Sequence, residues 1–140
     1  MGAAQPALSA EAQAALDAQL SDAAFKGDVA AIERLAAEGA SPSAKDAGGF
    51  PAVYAAAQEG HAGAVSALVR LGADLDASGS DGWTALTRAA GNGQVECARA
   101  LLAGGADRTL RATGGRYEGK TALEMAEAAG EAEVAGLLRE

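Results

Sequence analysis

A short block, Gly82-Trp83-Thr84-Ala85-Leu86-Thr87-Arg88-Ala89-Ala90-Gly91-Asn92-Gly93, recurs along the 140-residue chain, and this recurrence limits the possible folds more than any other feature. Thirty-three residues upstream it returns as Gly49-Phe50-Pro51-Ala52-Val53-Tyr54-Ala55-Ala56-Ala57-Gln58-Glu59-Gly60. The register holds further on, where Leu68-Val69-Arg70-Leu71-Gly72-Ala73-Asp74 lies over Leu101-Leu102-Ala103-Gly104-Gly105-Ala106-Asp107. One period earlier, Ala23-Ala24-Phe25-Lys26-Gly27-Asp28 falls over Ala56 to His61, and Leu35 to Ser41 over Leu68 to Asp74. Downstream, Gly119-Lys120-Thr121-Ala122-Leu123-Glu124-Met125-Ala126 repeats the block four residues late. Self-similarity of this kind marks units that cannot bury an apolar face alone and stack on their neighbours to do so.

A period of 33 with a Thr-Pro-Leu-His-x-Ala-like core and a Gly-Ala-Asp ending resembles the ankyrin repeat, over residues 17 to 140. The resemblance implies an all-α solenoid of four helix-turn-helix repeats joined by short β-hairpin turns. It also implies a non-catalytic role in protein recognition, as an adaptor, inhibitor or assembly subunit. Residues 1–8 read as a flexible lead-in and 9–140 as one domain, with repeats at about 9–45, 46–78, 79–111 and 112–140. The first repeat is atypical, as an end cap facing water should be, because a helix takes the place of its hairpin. Two departures from the family pattern stand out. The histidine of the core motif is replaced by Tyr54, Thr87 and Glu124, which puts the hydrogen bonds it makes to neighbouring hairpins in question, and four extra residues fall around Leu110 to Tyr117.

Local signals place the helices. Ser9 can cap a helix to about Lys26 with Leu16, Leu20, Ala23 and Ala24 as its apolar stripe, and the second helix runs from about Val29 to Glu38 with Ile32 and Leu35 inward. Gly39, Gly72 and Gly105 suit the left-handed conformation that ends a helix. The later first helices are expected to start at Pro51, Thr84 and Thr121, with proline at a first helical position and Thr121-Ala122-Leu123-Glu124 as a capping box. Val53, Leu86 and Leu123 follow as buried anchors.

The chain is 49% hydrophobic and 21% charged with only five aromatic residues, so its core has to be assembled from many small contacts. A net charge of −8 argues against nonspecific binding to nucleic acid or an anionic membrane. The one basic stretch, Arg108, Arg111, Arg116 and Lys120, is offset by Asp107 and Glu118. Cys97 is the only cysteine, which rules out an intrachain disulfide, suits a reducing intracellular, cytoplasmic home, and aligns with Ala64 and Val134 as a core position. No apolar run is long enough to cross a membrane, and the N-terminus lacks a secretion-signal layout. Met1-Gly2 opens like a myristoylation signal, but Pro6 stands where Ser or Thr is needed.

Three motifs suggest chemistry. Gly114-Gly115-Arg116-Tyr117-Glu118-Gly119-Lys120-Thr121 matches the phosphate-loop pattern, whose chemistry needs a buried strand before it and a helix after it. The preceding Asp107 to Thr113 is too polar for that strand, so a small NTP-binding enzyme is the weaker alternative. Asp74-Leu75-Asp76-Ala77-Ser78-Gly79-Ser80 opens like a calcium loop, but Ala85 occupies the position of the bidentate Glu. His61, the single histidine, follows Gly60 at a helix start, where capping is the expected role. No catalytic residue, cofactor or metal is therefore expected.

In the ankyrin family, partners are held by hairpin tips and exposed positions of the first helices. Carried over position by position, these are Phe50, Trp83 and Lys120 after the hairpin glycine, and Ser80, Asp81, Tyr117 and Glu118 before it. After the paired alanines they are Phe25, Lys26, Gln58, Glu59 and Asn92. Phe25, Phe50, Trp83 and Tyr117 would then be exposed rings that grip a protein partner, or rings that stack across hairpins and hold them in line. A further alternative is a structural subunit packed through a terminal repeat in a larger assembly.

Overall fold

The structure, a computed structural model, describes residues 8–140. The Met1-Gly2 signal and nearly all of the expected lead-in lie outside the described residues. Eight helices follow among those described: α1 (Ala10–Lys26), α2 (Val29–Ala37), α3 (Ala52–Gln58), α4 (Ala62–Arg70), α5 (Ala85–Gly91), α6 (Val95–Ala103), α7 (Ala122–Ala128) and α8 (Ala132–Leu138). They pair as α1/α2, α3/α4, α5/α6 and α7/α8, with first helices stacked on first helices and second on second. The result is an all-α solenoid, and two of the three turns between pairs carry an isolated antiparallel bridge, Lys45 to Pro51 and Arg111 to Thr121.

The period becomes columns of buried side chains. Leu20, Val53 and Leu86 lie one period apart along the first helices, and Leu35, Leu68 and Leu101 along the second, with Leu138 following four residues late. Between the layers Ala23, Ala24, Ala56, Ala57, Ala89 and Ala90 are buried, and these small side chains let the helices approach closely. Cys97 joins this core between Ala64 and Val134, and burial, with the Glu96 charge second, pushes its thiol up to about 11.

Capping follows local chemistry. The Ala12 amide donates to Ser9 Oγ at 3.0 Å, the Thr87 amide to Thr84 Oγ1 at 3.2 Å, and Thr121 and Glu124 form the reciprocal capping box. Gly27, at φ 76°, turns the chain from α1 into α2, and a Cβ there would also meet the His61 ring at 2.7 Å. Gln94 sits over Gly60 and Glu131 over Gly93 in the same way.

Three expectations need correction. Pro51 is the cap residue before α3 and lies outside its first turn. His61 makes no side-chain cap, and its ring instead packs over Gly27. Leu123 is only half-buried, because α7 has a stacked first helix on one side alone among the described residues, and Met125 is the fully buried residue there.

Candidate partner-binding surface

The first helices and hairpins line one flank of the solenoid, and its two halves differ. In the first half the flank is open. Ala14, Asp17, Ala18 and Phe25 of α1 face Lys45, Asp46 and Ala47 of the hairpin across Ala55 of α3, enclosing about 690 Å³. This trough continues into a smaller hollow of about 240 Å³ bounded by Phe25, Phe50, Tyr54 and Gln58. Phe25 is 51% exposed, a large apolar side chain left in water. Phe50 lies against Tyr54, with ring centroids 4.9 Å apart, and presents only part of its surface.

In the second half the flank is filled. Trp83 folds back from its turn over Gly91, where a Cβ would sit 3.4 Å from the indole, and packs with Met125. Its indole N–H donates to the Gly114 carbonyl at 2.9 Å. The Arg88 guanidinium lies 5.1 Å from the ring centroid, standing one period after Ala55 and so occupying the place that is empty above that alanine. Arg88 Nε is buried without a hydrogen-bond partner, and the indole face offers the compensating attraction. Tyr117, brought in by the longer hairpin, completes the cluster at 6.0 Å from Trp83, with Arg116 over its outer face at 5.5 Å.

The expected site residues therefore separate into groups. Phe25, Phe50 and Gln58 come together at the trough. Lys26 pairs with Asp22 at 3.0 Å on the exposed side of α1, and Glu59 accepts from Gln58 at 3.4 Å. Ser80, Asn92 and Glu118 are exposed, whereas Tyr117 and Lys120 are half-buried. Trp83 requires a correction. At 8% exposure it is a core ring, because Gly91 and the extended hairpin make room for it, and it is not an exposed grip for a partner. Asp81 is likewise half-buried, accepting from the Tyr54 hydroxyl and, at 3.1 Å, from the Trp83 amide.

The trough floor and rim, Ala14, Asp17, Ala18, Asp46 and Ala55, were not among the expected positions, and neither was Arg88. The signal for the α1 wall is the helical spacing of Ala14, Ala18, Ser21 and Phe25, which places them on one face.

The phosphate-loop motif is a surface turn, with Gly115, Arg116, Glu118 and Gly119 exposed. The amides of its second half are engaged: Glu118 to the Gly115 carbonyl at 3.2 Å, Gly119 to Ala112 at 2.8 Å, Lys120 to Tyr117 at 3.0 Å, and Thr121 to the Glu124 carboxylate at 3.0 Å. A phosphate cradle needs such amides to converge on an anion. The neighbouring cations are engaged too, Arg108 with the Leu138 and Glu140 carbonyls and Arg111 with the Gly119 carbonyl and Glu124. In the calcium-like turn, Asp74 accepts from the Asp76 amide at 3.0 Å, and Asp76 accepts from the Asp107 amide one repeat on at 2.8 Å. Those carboxylates tie turns together.

Residues 20–112, more than half of the chain, match the sequence profile described as ankyrin repeats (3 copies). The chain belongs to the ankyrin-repeat family. Ankyrin repeats are in general protein–protein interaction modules, and the family is typically non-catalytic. The α7/α8 pair, which lies beyond the matched residues, stacks on α5/α6. No curated protein matches this ankyrin-repeat chain. No described helix is long and apolar enough to cross a membrane.

Proposed function

We propose that this ankyrin-repeat protein is a non-catalytic, intracellular module that binds a protein partner through its hairpins and the exposed positions of its first helices. The observation that carries this reading is the open first half of that flank, where Phe25 stands in water beside an apolar trough. A large exposed ring next to a concave surface is the usual make-up of an interface anchor. Phe50, Gln58 and Glu59 border the same region, and Ser80, Asn92, Glu118 and Lys120 form the outer rim along the hairpins and first helices. Trp83, Tyr117 and Asp81 serve the surface indirectly by fixing the shape of the second half.

Cross-linking in native extract, with the linked peptides sequenced by mass spectrometry, tests this role. Links from the hairpins and from α1 or α3 to another protein are expected. Links confined to the exposed end of the array, at Glu133, Arg139 and Glu140, would contradict it and favour a structural subunit packed end to end.

A further inference from the structure

We infer that the trough between α1 and the first hairpin takes a basic segment of the partner protein, in which an apolar side chain is flanked by Lys or Arg. The proposal rests on the protein-binding role above and goes beyond it by giving the site and the chemistry of the segment. Size comes first: about 690 Å³, with the adjoining hollow at about 240 Å³, is room for side chains inserted from a partner. Floor and wall are apolar, formed by Ala14, Ala18 and Ala55, and Phe25 is available to close over what enters.

Charge then narrows the occupant. Among the described residues, three carboxylates, Asp17, Asp22 and Asp46, line the trough against the single cation Lys45. Asp17 accepts the Ser41 amide and the Gln13 side chain, and Asp46 accepts the Gly48 and Phe50 amides, all through Oδ1. Their positions are thus fixed, and among the described residues Oδ2 of each has no hydrogen-bond partner. Among the described residues Asp22 pairs with Lys26, in an exposed contact between side chains 61% and 66% accessible, which water already weakens and an incoming cation can replace. A nucleic-acid or acidic segment would meet this rim with like charge on a chain of net charge −8. A basic protein segment meets opposite charge and an apolar floor together.

The test is selection of a phage-displayed library of random peptides on the intact protein, followed by calorimetric titration of the enriched peptides. Enriched sequences are expected to carry an aliphatic or aromatic residue flanked by Lys or Arg. Ala18→Trp, which fills the trough from an exposed helix position, should lower their affinity by about tenfold or more. Asp22→Lys should lower it while leaving the cavity open, and the remaining binding should weaken less steeply with salt. Circular dichroism melts of both variants establish that they fold. Enriched peptides with acidic flanks, or basic ones indifferent to both substitutions, overturn the trough and leave the protein-binding role standing. A library that yields no binder also overturns the trough, and the cross-linking sites in native extract judge the broader role separately.

Discussion

The hydroxyl of Tyr54, on α3, donates to the carboxylate of Asp81 in the next hairpin. Through its other oxygen Asp81 accepts the Trp83 amide at 3.1 Å, so one carboxylate joins the second repeat to the turn that presents the tryptophan. Tyr54 stands where the family has histidine and supplies the contact to a neighbouring hairpin. Thr87 at the same position bonds within its own helix start, and Glu124 bonds there and to Arg111 of its own hairpin.

Removing that contact should loosen two repeats at once. Tyr54→Phe keeps the ring and deletes the donor, with an expected cost of about 1 to 2 kcal/mol in urea unfolding. Burial, and then the bond to Asp81, raise the Tyr54 pKa above its ordinary value, although nearby Arg88 works in the opposite direction. A raised folded-state pKa means that the contribution is complete below the unfolded value of about 10 and is lost as pH climbs through the folded value. Wild-type stability should therefore decline in the alkaline range, and Tyr54→Phe should flatten that decline. An identical alkaline decline in both proteins would count against the linkage.

Trp83→Ala should act first on stability. Loss of a buried ring, with its bond to Gly114 and its packing on Met125, should cost about 3 to 5 kcal/mol. Trp83→Phe keeps an aromatic ring in the cluster but removes the indole donor together with part of the ring volume, so a smaller cost of about 1 to 3 kcal/mol is expected. Equilibrium unfolding of both variants checks the order of the two costs.

Cys97 offers a probe of global opening. Buried at 1% exposure, with its thiol pushed up to about 11, it should react with a disulfide reagent only when the solenoid opens. Its labelling rate should rise in parallel with each destabilising substitution above. Fast labelling in folded protein would place the thiol at the surface.

Much of the architecture is legible in the sequence because identical steps recur. Leu35, Leu68, Leu101 and Leu138 can be aligned before any coordinate exists, and Ser9, Thr84 and Thr121 announce their helices. The trough is less legible, because it depends on what fills the flank elsewhere. Ala55 and Arg88 occupy equivalent positions, yet one leaves a hollow and the other lies under an indole. Gly91, where Gln58 stands one period earlier, is the local permission for Trp83 to fold inward, and its meaning appears only once the ring is seen above it. Position alone marked Trp83 and Phe25 alike, and neighbours decided that one is core and the other exposed.

The Gly114 to Thr121 loop should ignore nucleotides. ATP with magnesium is expected to give no saturable heat on titration, and Lys120→Ala should leave the thermal melt almost unchanged. Saturable binding abolished by Lys120→Ala would restore the nucleotide reading, since it would require the Glu118 to Thr121 amides to leave their present partners.

The central claim is that one flank of this ankyrin array is closed by Trp83 in its second half and open beside Phe25 in its first. Acrylamide quenching tests it directly, because Trp83 is the single tryptophan. Wild-type emission should be blue-shifted and weakly quenched, whereas a Phe25→Trp/Trp83→Phe protein should emit further to the red and be strongly quenched. Equal quenching of the two proteins would contradict the account.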